Sequence, residues 1–285
     1  MNSGFGSGFP RDRMAAAATQ CERGTTLFIL AHPDDELAFA PALYRLARQA
    51  KPVRLIYLAD GALRSASAAV RHAESEAALA SIGIDRSSLS FLGSQQGIED
   101  GHLYKHLCRG LEAIERLVPP NVPIAGIFTL AWEGGHPDHD SAHLIAAAFA
   151  AKRGLEEDVW QVAFYRAADR LPAPAFSVSA PLAANGPVQS SKLTLVERRL
   201  ARRMMRHYRS QWRSFIGLGP FIIWRSLTRS RIEWQAVRYD RLSQRPTERP
   251  LLYEVRNGIA FGELLEHSAE LLTTCRASLR RMAEA

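Results

Sequence analysis

The chain has 285 residues, of which 47% are hydrophobic and 23% charged, ordinary proportions for a globular protein able to bury a sizeable core. No apolar run approaches the ~20 residues that a membrane-spanning helix needs, which excludes a helical membrane protein. The net charge of +7 sits in one segment: residues 197–249 hold fourteen arginines, no lysine and four acids, a local +10 that leaves −3 for the remainder.

No nucleic-acid-binding motif accompanies that basic segment, so nucleic acid is not an expected partner. An anionic substrate or an anionic membrane surface fits the same charge, and so does a plain solvated face. Cys21, Cys108 and Cys275 are far apart and form no CxxC pair. Neither a disulfide framework nor a cysteine-based zinc site is expected, and a reducing cytoplasm is the simplest setting.

Residues 1–23 are rich in glycine, with Arg11 and Arg13 ahead of a short alanine run. The run is too short for a signal-peptide core, so a flexible leader is expected there. Thr25 to Leu30 is an apolar, partly β-branched strand pattern that ends abruptly in Ala31-His32-Pro33-Asp34-Asp35-Glu36. Helical composition follows over 37–50, a second strand over 53–59 closing in Asp60-Gly61, and a helix over 67–82 stopped by Gly83. A short strand over 89–92, a helix over 103–117 and a strand over 122–130 continue the alternation. The last of these runs into Glu133-Gly134-Gly135-His136-Pro137-Asp138-His139-Asp140.

A helix over 138–153, capped by Asp138 or Asp140, and a strand over 158–166 complete a pattern typical of a parallel sheet covered on both faces. Residues 171–189 read as a long surface excursion, 193–212 as an amphipathic helix, 249–255 as a last strand and 262–281 as a terminal helix. The expected fold is therefore α/β: Rossmann-like, a mostly parallel sheet with helices on both faces and a C-terminal cap. One domain over 24–285 suffices, with a core over 24–170 and the cap over 171–285.

Two strands that each end in His and Asp suggest one shared site, because open α/β sheets keep their ligands at the carboxyl ends of their strands. His32 and Asp35 on one loop and His139 on the other supply two imidazoles and a carboxylate. That set leaves coordination positions open, as in a catalytic zinc site, and also suits Fe(II). Asp34 is then placed as a base towards a metal-activated water. His136, as imidazolium, would stabilise an oxyanion or protonate a leaving amine, with Asp138 as its orienting partner. The parts describe metal-assisted hydrolysis of an amide or ester. His143 is expected on the helix surface, Glu36 in a structural role, and Asp60-Gly61 in a plain turn.

Ala31-His32-Pro33-Asp34-Asp35-Glu36 resembles the AHPDDE signature of the PIG-L/LmbE-like deacetylases, and His136-Pro137-Asp138-His139 resembles their second motif. The resemblance implies zinc at His32, Asp35 and His139, a general base at Asp34 and a polarising or protonating role at His136. It implies an N-acetylated sugar as substrate, with Arg71 where some members contact it. It is weaker over Arg206 to Gln211, where His207 either reaches the site from the cap as a substrate contact or holds an ordinary helix position.

The expected activity is removal of an N-acetyl group from an amino-sugar-containing glycolipid, glycoconjugate or metabolite. The alternatives are an amidase or deacylase acting on a larger amide or long acyl chain, and a non-catalytic sugar- or lipid-binding protein on the same fold. Residues 213–225, apolar and bracketed by arginines, offer either a peripheral membrane contact or a packed loop, the latter being the commoner fate of such segments.

Overall fold

The computed structural model describes residues 24–62, 66–168, 176–211, 219–224 and 227–284. The leader expected over 1–23 lies outside them. The chain alternates β1 (Thr25–Leu30), α1 (Ala40–Arg48), β2 (Val53–Tyr57), α2 (Ala68–Ala80), β3 (Leu89–Phe91), α3 (Leu92–Gln96), α4 (Leu107–Leu117), β4 (Ile124–Leu130), α5 (Pro137–Arg153) and β5 (Val159–Val162). These five strands are parallel neighbours in the order β3-β2-β1-β4-β5. The side-chain period of two sends Leu27 and Ile29 of β1 to one face and Phe28 and Leu30 to the other. The first pair packs with Leu111, Ile145, Phe149 and Leu271, and the second with Leu43, Leu79, Leu200 and Met204. Both faces are covered, and each such buried side chain contributes about 1.5–3 kcal/mol.

The same sheet continues beyond β5. After β6 (Tyr165–Ala167) and β7 (Phe176–Val178), which pair with each other, β8 (Gln189–Lys192) and α6 (Leu195–Met205) lead to β9 (Arg231–Ala236). β9 pairs antiparallel with β5 and carries β8 at the sheet edge. Residues 176–178 of the expected excursion are therefore strand, β8 starts at its last residue, Gln189, and β9 falls in a region where no strand was expected.

The strand expected over 249–255 is instead α7 (Leu252–Asn257). Its start is fixed by Glu254, whose carboxylate accepts the Leu251 N–H at 2.9 Å and pairs with Arg245; Gly258, in the left-handed region, ends it. The terminal helix is two helices, α8 (Phe261–His267) and α9 (Ala269–Glu284), and α6 ends seven residues short of the expected 212. Among the described residues, no helix is long and apolar enough to cross a membrane.

α5 is buried on every side from Pro137 to Ala151, between the sheet, α4 and α9. Its alanines allow that close approach. The consequence for chemistry is that Asp138, His139, Asp140 and His143 all lie inside the protein.

Candidate active site

β1 and β4 are adjacent and parallel, with the strand order reversing between them, so their carboxyl ends open side by side at a topological switch point. Beyond β1 the chain turns sharply through 32–34. Asp34 sits at φ 130°, a conformation that non-glycine residues adopt only when their surroundings impose it. Its N–H donates to Glu36 Oε2 at 2.8 Å and its carboxylate pairs with Arg71 Nη2 at 3.1 Å. Arg71, from α2, also donates to the carbonyls of Pro33 and Gly61, the latter at 2.7 Å.

Beyond β4, Asp140 Oδ1 accepts the N–H groups of Glu133 at 3.3 Å and Gly134 at 3.2 Å, folding the loop back onto its own helix. Gly135 passes so close to β6 that a Cβ there would lie 1.9 Å from the Tyr165 carbonyl oxygen. No other residue fits. His136, and neither Asp138 nor Asp140, caps α5: its Nδ1 accepts the Asp138 N–H at 3.2 Å. That bond leaves the proton of the neutral ring on Nε2.

The two loops meet. Asp35 Oδ1 lies 3.0 Å from His139 Nε2, and Asp35 Oδ2 lies 3.9 Å from His32 Nδ1 while accepting the N–H groups of Ala31 and His32. The rings of His32 and His139 are 5.4 Å apart, centroid to centroid, and those of His32 and His136 are 4.8 Å apart. His32 Nε2 faces Asp138 Oδ2 at 3.0 Å and Asp100 Oδ1 at 3.3 Å. Donor atoms of His32, His136 and His139 lie within 4.8 Å of one another, as do those of His32, Asp100, His136 and Asp138. The side chains of His32, Asp35 and His139 are 7%, 1% and 3% exposed, whereas Asp34, Asp100 and His136 are 18–20% exposed. The cluster thus has a dry floor of His32, Asp35 and His139 and an open rim of Asp34, Asp100 and His136.

Three carboxylates within 3.9 Å of one buried imidazole form an excess of negative charge that a cation would balance. Without one, the balance falls to a proton. Burial disfavours charge on His32, yet Asp100, Asp138 and Asp35 hold its pKa well above the ordinary value. Burial likewise opposes charge on Asp35, but His139 and His32 keep it at about 2. A mixed nitrogen and oxygen donor set with a buried floor and an accessible rim fits a divalent cation such as zinc or Fe(II). Burial pushes Asp34 up to about 7 against the pull of Arg71, and lowers His136 to about 4, helped by the charge on His32. His136 is therefore a neutral donor through Nε2, and the expected imidazolium is not supported.

Other expected positions differ. Asp138 does not orient His136 with its carboxylate, which is taken by His32 and by the N–H groups of Gly101 at 2.6 Å and Leu103 at 2.9 Å. Arg71 is 2% exposed and lies beneath the Asp34 loop, with its guanidinium against the Asp34 carboxylate rather than open to a substrate. His207 is half-buried, and its neighbour Tyr208 is the residue that reaches under the site, donating to Glu36. His143 is buried, not on the surface, and its Nδ1 bonds the Leu130 carbonyl at 2.8 Å. Asp60 does more than make a turn: its Oδ1 accepts the Asp100 N–H at 3.1 Å and so fixes the rim. Of 213–225, residues 213–218 and 225 lie outside the described residues, and 219–224 is helical with Phe221, Ile223 and Trp224 exposed.

Sequence reasoning missed Asp100, Glu133, Tyr165 and Tyr208. Glu133 is buried against the Phe164 N–H and raised to about 8 by burial, and the Tyr165 ring meets that of His139 edge-on at 5.2 Å. A usable signal for Asp100 was present: Asp60-Gly61 and Asp100-Gly101 both follow strands whose carboxyl ends border the site.

Residues 27–150, which span both loops, match the family described as PIG-L: GlcNAc-PI de-N-acetylase. The match covers a little under half of the chain, the part in which both motifs resemble the PIG-L/LmbE-like deacetylases. Solved structures agree on the fold. A deacetylase of the A40926 pseudoaglycone superposes with a TM-score of 0.56 at 16% identity, covering 80% of this chain and 100% of its own. A deacetylase of teicoplanin biosynthesis superposes at 0.55 and 16% identity, covering 74% and 96%. The zinc-inhibited form of teicoplanin deacetylase does so at 0.52 and 15%, again covering 74% and 96%. No curated protein sequence matches the chain.

Proposed function

We propose that this protein is a metal-dependent de-N-acetylase of an N-acetylated amino sugar, with zinc or Fe(II) held by His32, Asp35 and His139. One observation supports this above the others: the Asp35 carboxylate lies between His32 of its own loop and His139 of a loop about a hundred residues away, with a strained acid beside it. The matched family, and the deacetylases whose structures superpose on this chain, support the same reading. We treat 24–285 as one folded unit, since strands beyond residue 170 extend the core sheet.

A cation at this position would supply Lewis acidity, polarising the acyl oxygen and making water acidic enough to yield hydroxide near neutral pH. The chain's own residues do the rest. Asp34, on the rim and near pH 7 in affinity for protons, accepts a proton from the attacking water. His136 donates its Nε2–H to the oxyanion that forms at the acyl carbon, as a neutral imidazole can. The proton on Asp34 then passes to the leaving amine, so one carboxyl serves as base and acid. Asp138 fixes the ring of His32, and Arg71 fixes the Asp34 loop.

The test is an amine-release screen of N-acetyl sugars, free, nucleotide-linked and lipid-linked, on protein of measured metal content. Release of acetate and free amine that chelation abolishes and zinc restores is the expected result. Inactivity of metal-loaded protein on the whole panel would revive the binding-protein alternative.

A further inference from the structure

The segment that follows α6 is not absorbed by the chemistry above, yet it is bound tightly to the element beneath it. Arg71, Glu74 and Ser75 lie on one face of α2, at spacings of three and four residues. Glu74 accepts the N–H of Ser210 at 2.7 Å and its hydroxyl at 2.6 Å. With the Gln211 amide oxygen facing α2, it accepts from Arg71 Nε at 3.1 Å and Nη1 at 3.0 Å. Tyr208, 1% exposed, donates its hydroxyl to Glu36 Oε1, which Ser75 Oγ also reaches. Glu36 is fully buried, and its other oxygen is the one that accepts the Asp34 N–H.

A chain of direct contacts therefore runs from the C-terminal half of the protein to the strained peptide. A residue at φ 130° returns to a commoner conformation unless its neighbours over-determine it. The Glu36 carboxylate does so at the Asp34 N–H. Glu36 in turn can rotate unless its second oxygen is fixed, and Tyr208 and Ser75 fix it. We propose that Tyr208 is a positioning residue, which acts through Glu36 to hold the Asp34 peptide in the conformation that keeps its carboxylate on the open rim. The inference deepens the reading of Asp34 as the base and rests on it.

The test compares wild type with Tyr208→Phe, which keeps the ring and removes one hydroxyl, and with Ser75→Ala, which removes the other donor. Three readouts are taken: zinc per chain, kcat and KM for N-acetylglucosamine in an amine-release assay, and the crystal structure around residue 34. Zinc content and KM should stay within about twofold of wild type while kcat falls about 10- to 100-fold, the size expected when a reacting group is misplaced by up to an ångström. Residue 34 should leave φ 130° in the Phe variant. Unchanged kcat in a folded Tyr208→Phe protein, or an Asp34 that keeps its conformation in both variants, would overturn the proposal. If wild type releases no amine from N-acetylglucosamine or from any other sugar of the panel above, the deacetylase reading fails separately, and the crystal structures still decide the positioning role.

Discussion

Replacing Arg71 by Met removes the guanidinium that pairs with Asp34 and leaves the hydrocarbon stem to fill its place. Two unit charges at about 4 Å interact by roughly 4 kcal/mol at an effective dielectric near 20, and an Arg neighbour shifts a carboxyl by about 1–3 pKa units. The Asp34 carboxyl, already held at about 7, should rise further by that amount. Because its folded value exceeds its unfolded value, the folded state binds the proton more tightly, and stability falls as pH rises through the gap. The variant widens the gap upward. Relative to wild type it should lose nothing through Asp34 at pH 6, and about 1.4 kcal/mol per added unit once pH passes through 7 towards 9.

A pH-independent cost of about 1–3 kcal/mol per orphaned carbonyl adds to this, since Pro33 and Gly61 lose their donor. Urea unfolding of metal-free wild type and variant at pH 6 and pH 9 separates the two parts. The acid limb of the pH–rate profile of zinc-loaded enzyme should move up by about 1–3 units as well. An equal stability cost at both pH values, together with an unmoved limb, would refute the assigned pairing.

Asp34→Asn should retain metal and lose at least about 100-fold in kcat, measured by amine release alongside metal analysis. His139→Ala should lose tightly bound metal altogether, because one of two imidazole ligands is gone and Asp35 loses the partner at 3.0 Å. Glu133 has a folded value of about 8, above its unfolded value, so its carboxyl costs stability progressively between about pH 4.5 and 8. Glu133→Gln has no such cost. Its Tm should gain on wild type as pH rises through that window, by the equivalent of about 4–5 kcal/mol at pH 8; a pH-independent difference would contradict the burial of a titrating acid.

The core sheet and the two loops were legible because their signals are local. Leu27 to Leu30 and Ile127 to Leu130 are buried on both faces and read as continuous apolar runs, and the polar groups that interrupt them stand out. The C-terminal half was less legible for physical reasons. β9 alternates Ile232, Trp234 and Ala236 with polar residues in an arginine-rich stretch, and its pairing with β5 is a long-range contact no local pattern reports. Residues 251–255 carry a strand-like apolar composition, and the Glu254 cap decides for helix. Within the site, His32, Asp35 and His139 announce themselves by motif. Asp100 does not: it is a loop carboxylate carried to His32 by the Asp60 bond. His143 looked like a surface residue because helical spacing says nothing of how deeply α5 is wedged.

The central claim, that the ends of β1 and β4 share one cation, is tested most directly by anomalous diffraction at the zinc edge from crystals of the zinc-reconstituted protein. A single peak in contact with His32, Asp35 and His139, with Asp34 beside it and making no bond to it, is the predicted result. A peak held instead by Asp100 and His136 alone, or no peak within reach of both loops, would contradict it.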